Sequence, residues 1–151
     1  MRPILQVPDP ALRAVCDPVT VFDGELAALS AEMFAAMYAA PGRGLAAPQI
    51  GDLRRMFVMD VTWKTGERSP RIFVNPEIVK SSVALAVNEE SCLSIPMITV
   101  AVPRPAVLTL RWQGLNGAPQ EGVFEGTSAV IVQHERDHLD GILCTDYAVL
   151  P

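Results

Sequence analysis

Apolar positions near the start of the chain recur at the spacing of a helix face. Leu26, Leu29, Met33, Phe34, Met37 and Tyr38 follow Asp23, a residue type suited to an N-cap, and Pro41, Gly42 and Gly44 stop the pattern. An amphipathic helix over residues 24–39 is predicted. Before it the chain is extended through Val7, with Asp9 placed to cap a brief turn over Pro10 to Val15. From Met56 to Val107 the texture changes to short β-rich runs, MFVMDV, RIFVN, SVALAV and ITVAV, broken by TGERSP, NP and IPM. The segments AVLTLRWQ and GVFEG flank LNGAPQ, whose Asn-Gly pair predicts a hairpin. Thr127 or Ser128 then caps a second helix running to about Asp140, with Gly141 at its end. Strands in the middle and helices at both ends predict an α+β domain.

No repeat, low-complexity tract or linker divides the 151 residues, so a single domain spanning 1–151 is expected. Half of the residues are apolar and 19% are charged, which favours a packed core over disorder. Twelve basic against seventeen acidic residues give a net charge of −5 without a run of Lys or Arg. Neither nucleic acid nor an anionic membrane surface is an expected partner, and a small ligand fits better. The opening MRPILQVPDP lacks the apolar region of a secretory signal, and no apolar stretch approaches membrane-spanning length, so a cytoplasmic protein is expected. Cys16, Cys92 and Cys144 are odd in number and widely separated, which suits free thiols in a reducing compartment.

The chain has only two histidines, His134 and His138, four apart within QHERDHLDG. Random placement would give that spacing in about 1.3% of cases, and a Glu after the first histidine lowers this to roughly one in a thousand. Residues four apart share a helix face, so both imidazoles can bind one metal ion. Glu135, rotated by about 100°, can then reach water at an open position. The alternative is that the histidines merely cover a buried helix face. A catalytic site of this kind needs a third protein ligand. Cys92, in the polar string EESCLSIP between strand-like runs, is the best candidate, whereas Cys16 and Cys144 lie among apolar neighbours and suit the core.

Three strings together, GRGLAAPQ (Gly42 to Gln49), ESCLS (Glu90 to Ser94) and HERDH (His134 to His138), resemble the signature motifs of the peptide deformylase family in order and separation. The resemblance runs from the opening strand to Asp146. It implies short antiparallel sheets packed around a central HExxH helix, with Cys92, His134 and His138 binding one divalent metal ion. That ion is commonly Fe²⁺, with Zn²⁺, Ni²⁺ or Co²⁺ able to replace it. The implied reaction is hydrolysis of the formyl group from the N-terminal formyl-methionine of newly made polypeptides, met at the ribosome exit. Glu135 then serves as base and acid, and the Gln49 amide and the Leu93 backbone N–H meet the charge on the formyl oxygen. Gly42, Arg43, Gly44, Glu90, Ser91 and Val130 are implied along the substrate.

Read without the resemblance, several of these positions stay open. Gln49 in its apolar loop is either satisfied by backbone or aimed at a cavity. Gly42 and Gly44 either admit a close substrate or serve as turn glycines. Arg104 either pairs with Glu90, steadying the Cys92 loop, or lies on the surface. The chain also departs from the family pattern. Ser91 stands where glycine is usual, either crowding the peptide or requiring a φ that serine dislikes. Arg43 replaces an aliphatic residue near the substrate entrance. The sequence stops at Pro151, without the C-terminal helix or strand of many members. Two other functions compete: a related metallohydrolase acting on another small formylated or acylated amine, and a metal-binding paralogue without turnover.

Overall fold

The computed structural model of the chain describes residues 2–148. Asp23 starts the first helix, α1 (Gly24–Ala39), by accepting hydrogen bonds from the backbone N–H groups of Glu25 and Leu26. Leu26, Leu29, Met33, Ala36 and Met37 form its buried stripe. Asp9 caps a shorter 3-10 turn than expected, Pro10–Arg13. After α1, the short strand β1 (Gly44–Ala46) leads into a 3-10 turn over Ala47–Ile50, closed by Gly51 at φ 84°. Six further strands follow as β2 (Met56–Met59), β3 (Arg71–Ser81), β4 (Leu85–Cys92), β5 (Ile95–Pro105), β6 (Val107–Gln113) and β7 (Pro119–Glu125). The chain then enters α2 (Gly126–Leu139) and ends its described part in a 3-10 turn over Cys144–Tyr147.

Two antiparallel sheets result, one ordered β1-β2-β3-β6-β7 and the other made only of β4 and β5. The larger sheet is covered on both faces. Phe57, Met59, Phe73, Leu110 and Phe124 share a core cluster with Ala129, Val132 and Leu139 of α2. Met56, Val58 and Val74 pack instead with Leu26, Leu29, Met33 and Met37 of α1. Burial on both faces explains why β2 reads MFVM, without polar alternation. Phe57 and Phe73 are direct cross-strand partners, and their rings stack at 4.6 Å between centroids. The two-stranded sheet has its own small core of Leu12, Cys92, Ile95, Val102, Leu143 and Cys144.

Several boundaries differ from the sequence reading. The second helix is capped by neither Thr127 nor Ser128, which lie in its first turn. Its N-cap is Glu125, without a side-chain cap, and Gly126 takes φ 60° as the chain leaves β7 directly for the helix. The run RIFVN does not stop at Asn75-Pro76. Asn75 adopts φ 50° within a bulge between Val74 and Glu77, and β3 resumes beyond it. Likewise ITVAV continues through Pro103 and Pro105, because β5 pairs with β4 alone and has an edge that needs no N–H donor. Among the described residues no helix is long and apolar enough to cross a membrane.

Candidate metal and active site

Three elements converge. The helix α2 brings in His134, Glu135 and His138, all buried, with the imidazole centroids 5.1 Å apart. From the end of β4 comes Cys92, also buried, whose Sγ lies 3.4 Å from His138 Nε2. One donor atom each from Cys92, His134 and His138 can be chosen so that all lie within 4.8 Å of one another. Bonds of about 2.3 Å to sulfur and 2.0–2.1 Å to nitrogen in a tetrahedron put S and N roughly 3.5 Å apart. The observed thiol–imidazole separation therefore suits a shared divalent ion. Cys16 and Cys144 lie outside this cluster as buried core residues, and burial raises the thiol pKa of both, that of Cys16 to about 11.

The third element is the segment after α1. Gln49 is buried in the turn that follows β1, and both ends of its amide are held. Its Oε1 accepts from the Ala46 N–H at 3.0 Å, while Nε2 donates to Ser94 Oγ at 3.0 Å and approaches Cys92 Sγ at 3.6 Å. The carbonyl end thus faces its own backbone and the donor end faces the Cys92 turn. Gly44 of β1 lies against α2. A Cβ there would stand 2.7 Å from Glu135 Oε2 and 2.9 Å from Ile131 Cγ2. Lacking a Cβ, Gly44 leaves room for Glu135 and Ile131, and it lies in a strand rather than a turn.

Glu135 Oε1 is buried without a hydrogen-bond partner among the described residues. Burial pushes the pKa of its carboxyl up to about 7, although neighbouring His134 favours the charged form. His138 is driven well below the ordinary histidine range, first by burial and then by His134. His134 moves the other way: burial opposes its charge, but Glu135, Cys92 and Glu90 outweigh it.

Glu90 borders the same cavity and is also bound to the groups behind it. Its buried carboxylate is turned inward, receiving Arg104 Nε and Nη2 at 2.7 and 2.9 Å and standing 2.9 Å from His134 Nδ1. Burial resists its ionisation, yet His134 and Arg104 hold the carboxyl below its ordinary range. This leaves His134 Nε2 for a metal ion. Arg104 is buried, as the pairing alternative required, and also donates to Asp137 Oδ2 at 2.9 Å. Tyr147 gives Asp137 a further hydrogen bond at 2.8 Å. Asp137, Ser94 and Tyr147 were not singled out from sequence. Their partners are remote along the chain, and no local pattern marks them.

A cavity of about 510 Å³ opens over these groups, lined by Gly42, Arg43, Gly44, Gln49, Glu90, Ser91, Cys92, Leu93, Val130, His134 and Glu135. It therefore gathers every position implied along the substrate, with His138 behind it. Ser91 pairs with Thr99 in ordinary antiparallel register and has no positive φ, so its backbone makes no demand for glycine. A buried carboxylate, a thiol and two imidazoles at one open cavity make a donor set fit for metal-assisted hydrolysis.

Comparison with known proteins agrees. Residues 1–150 match the family described as polypeptide deformylase. The chain is 49% identical over 147 residues to the peptide deformylase of Phenylobacterium zucineum, covering 97% of this chain and 87% of that protein. It is 46% identical to that of Afipia carboxidovorans, covering 97% and 86%. The crystal structure of the peptide deformylase from Thermotoga maritima matches with a TM-score of 0.92 at 40% identity, over 99% of both chains. The chain belongs to the polypeptide deformylase family.

Proposed function

We propose that this enzyme hydrolyses the formyl group from the N-terminal formyl-methionine of newly made polypeptides, releasing formate and a free amine. The observation that carries the reading is buried Glu135, whose Oε1 has no hydrogen-bond partner among the described residues, beside a thiol and imidazole spaced for one ion. Cys92, His134 and His138 hold that ion, which we assign as Fe²⁺, with Zn²⁺, Ni²⁺ or Co²⁺ as substitutes. When bound, it supplies Lewis-acid activation of water.

The protein's own groups do the rest. Glu135 takes a proton from the attacking water and delivers it to the departing nitrogen, which leaves poorly unless protonated. Gln49 Nε2, fixed by the hold on its Oε1, donates to the oxygen on which charge develops, together with the Leu93 N–H. Glu90 orients His134 and is itself held by Arg104. Gly42, Arg43, Gly44, Ser91 and Val130 line the path of the peptide. Action on nascent chains leaving the ribosome, in the cytoplasm, follows from this substrate.

Formate release from formyl-Met-Ala-Ser by anaerobically prepared, Fe²⁺-loaded protein tests the assignment. Turnover that is lost on chelation and restored by the ion is expected. Turnover restricted to formyl amino acids or acetylated peptides would replace it with the alternative acylamine hydrolase, and stoichiometric metal without formate from any substrate would leave a metal-binding paralogue.

A further inference from the structure

Resting on that reading, we propose that Arg43 and Lys64 form a cationic lip at the mouth of the cavity that selects peptides carrying an acidic side chain shortly after the formyl-methionine. Both residues are exposed and both line the cavity. Most other arginines are tied to carboxylates, from Arg2 on Glu32 to Arg136 on Asp140. Among the described residues, by contrast, neither Arg43 nor Lys64 has a carboxylate within 4.0 Å. Glu89 is the one acidic wall residue not already committed, since Glu90 is held by Arg104 and His134 and Glu135 lies buried.

The lip is held in place by its backbone. Asp60 N–H donates to the Arg43 carbonyl at 2.9 Å, and Trp63 Nε1 donates to the Gly42 carbonyl at 2.9 Å. Buried Asp60 accepts from Tyr38 Oη at 2.6 Å and from the N–H groups of Ser69 and Thr62, and Tyr38 packs edge-on against Trp63. The segment carrying Lys64 is thereby clipped to the segment carrying Arg43, and two cations face one substrate path. The rest of the chain is acidic, with a net charge of −5, so this lip is a local reversal of sign. Attraction at a partly exposed site of this kind is modest and salt-sensitive.

The test compares kcat/KM for formate release from formyl-Met-Ala-Ser, formyl-Met-Glu-Glu and formyl-Met-Lys-Lys on the Fe²⁺-loaded enzyme. A preference for the acidic over the basic peptide of about threefold to tenfold in low salt is expected, shrinking towards unity near 1 M salt. Arg43→Ile and Lys64→Ala should each reduce the ratio, and the double variant should abolish it, whatever happens to the rate on the neutral peptide. Equal use of the acidic and basic peptides, or a preference that salt leaves unchanged, would overturn this inference while leaving deformylation intact. Formate from none of the three peptides would instead overturn the functional reading beneath it. The salt series on the unmodified enzyme decides the matter even if a variant fails to fold.

Discussion

Gly44→Ala separates the needs of the fold from those of the chemistry. The backbone at Gly44 has no positive φ, so alanine is conformationally acceptable there. Its Cβ, however, would meet Glu135 Oε2 at 2.7 Å, Ile131 Cγ2 at 2.9 Å and Glu135 Cγ at 3.0 Å. Restoring ordinary contact at roughly 3.4 Å displaces the carboxylate by about 0.7 Å. Overpacking of that size costs the fold about 1–3 kcal/mol. For catalysis the displaced group is the one assigned to proton transfer, and misplacement near 1 Å can cost about 10²-fold. We expect kcat for formate release to fall by about 30- to 100-fold, with metal content near stoichiometric and cooperative thermal unfolding retained. Gly24→Ala is the control. It lies in the first turn of α1, outside the cavity, with nothing within 4 Å of an added Cβ, and kcat should stay within about threefold. A Gly44→Ala enzyme as fast as the unmodified one would show that Glu135 does not need its present position, and the role assigned to it would fail.

Further predictions address the other assignments. Glu135→Gln should lower kcat by about 10²- to 10⁴-fold while metal analysis stays normal; loss of the ion from a folded variant would make Glu135 a ligand instead. Cys92→Ser should weaken metal retention severely, whereas Cys16→Ser and Cys144→Ser should retain the ion through dialysis, since those thiols stand outside the donor cluster. Arg104→Met removes the countercharge of buried Glu90 and partly buried Asp137, and a loss of about 3–5 kcal/mol in urea unfolding of the metal-free protein is expected; a midpoint unchanged from the parent would show that those carboxylates tolerate its absence.

What was legible in the sequence follows the range of the interactions involved. Asp23 caps α1 through its nearest neighbours, so the start of that helix could be read from one short string. The spacing of His134 and His138 is likewise set within one helix. The beginning of α2 was misread because Thr127 and Ser128 are good caps by type, whereas the turn out of β7 at Gly126 has already brought the chain into the helix. Pro76 reads as a break and the run ITVAV as ending at Val102, yet a bulge absorbs the first proline and an unpaired edge carries the strand on through Pro103 and Pro105, and neither is visible before the strand order is known. The inward turn of Glu90 depends on Arg104 and His134, which lie 14 and 44 residues away. Only folding brings those partners together, as it does for Lys64, whose polar loop carries no signal of the cavity it reaches.

The division of the strands into two separate sheets has a consequence for how the site comes apart. Its imidazoles and its carboxylate ride on a helix packed across the large sheet, but its sulfur sits in a two-stranded unit with a core of its own. A hairpin of two strands has little intrinsic stability, and such units open sub-globally at less than the full cost of unfolding. Backbone amides of β4 and β5 should therefore exchange with deuterium ahead of those in β2 and β3. In such an opening the thiol leaves while both histidines stay in register, so the donor set can be dismantled and rebuilt without the rest of the molecule losing its structure.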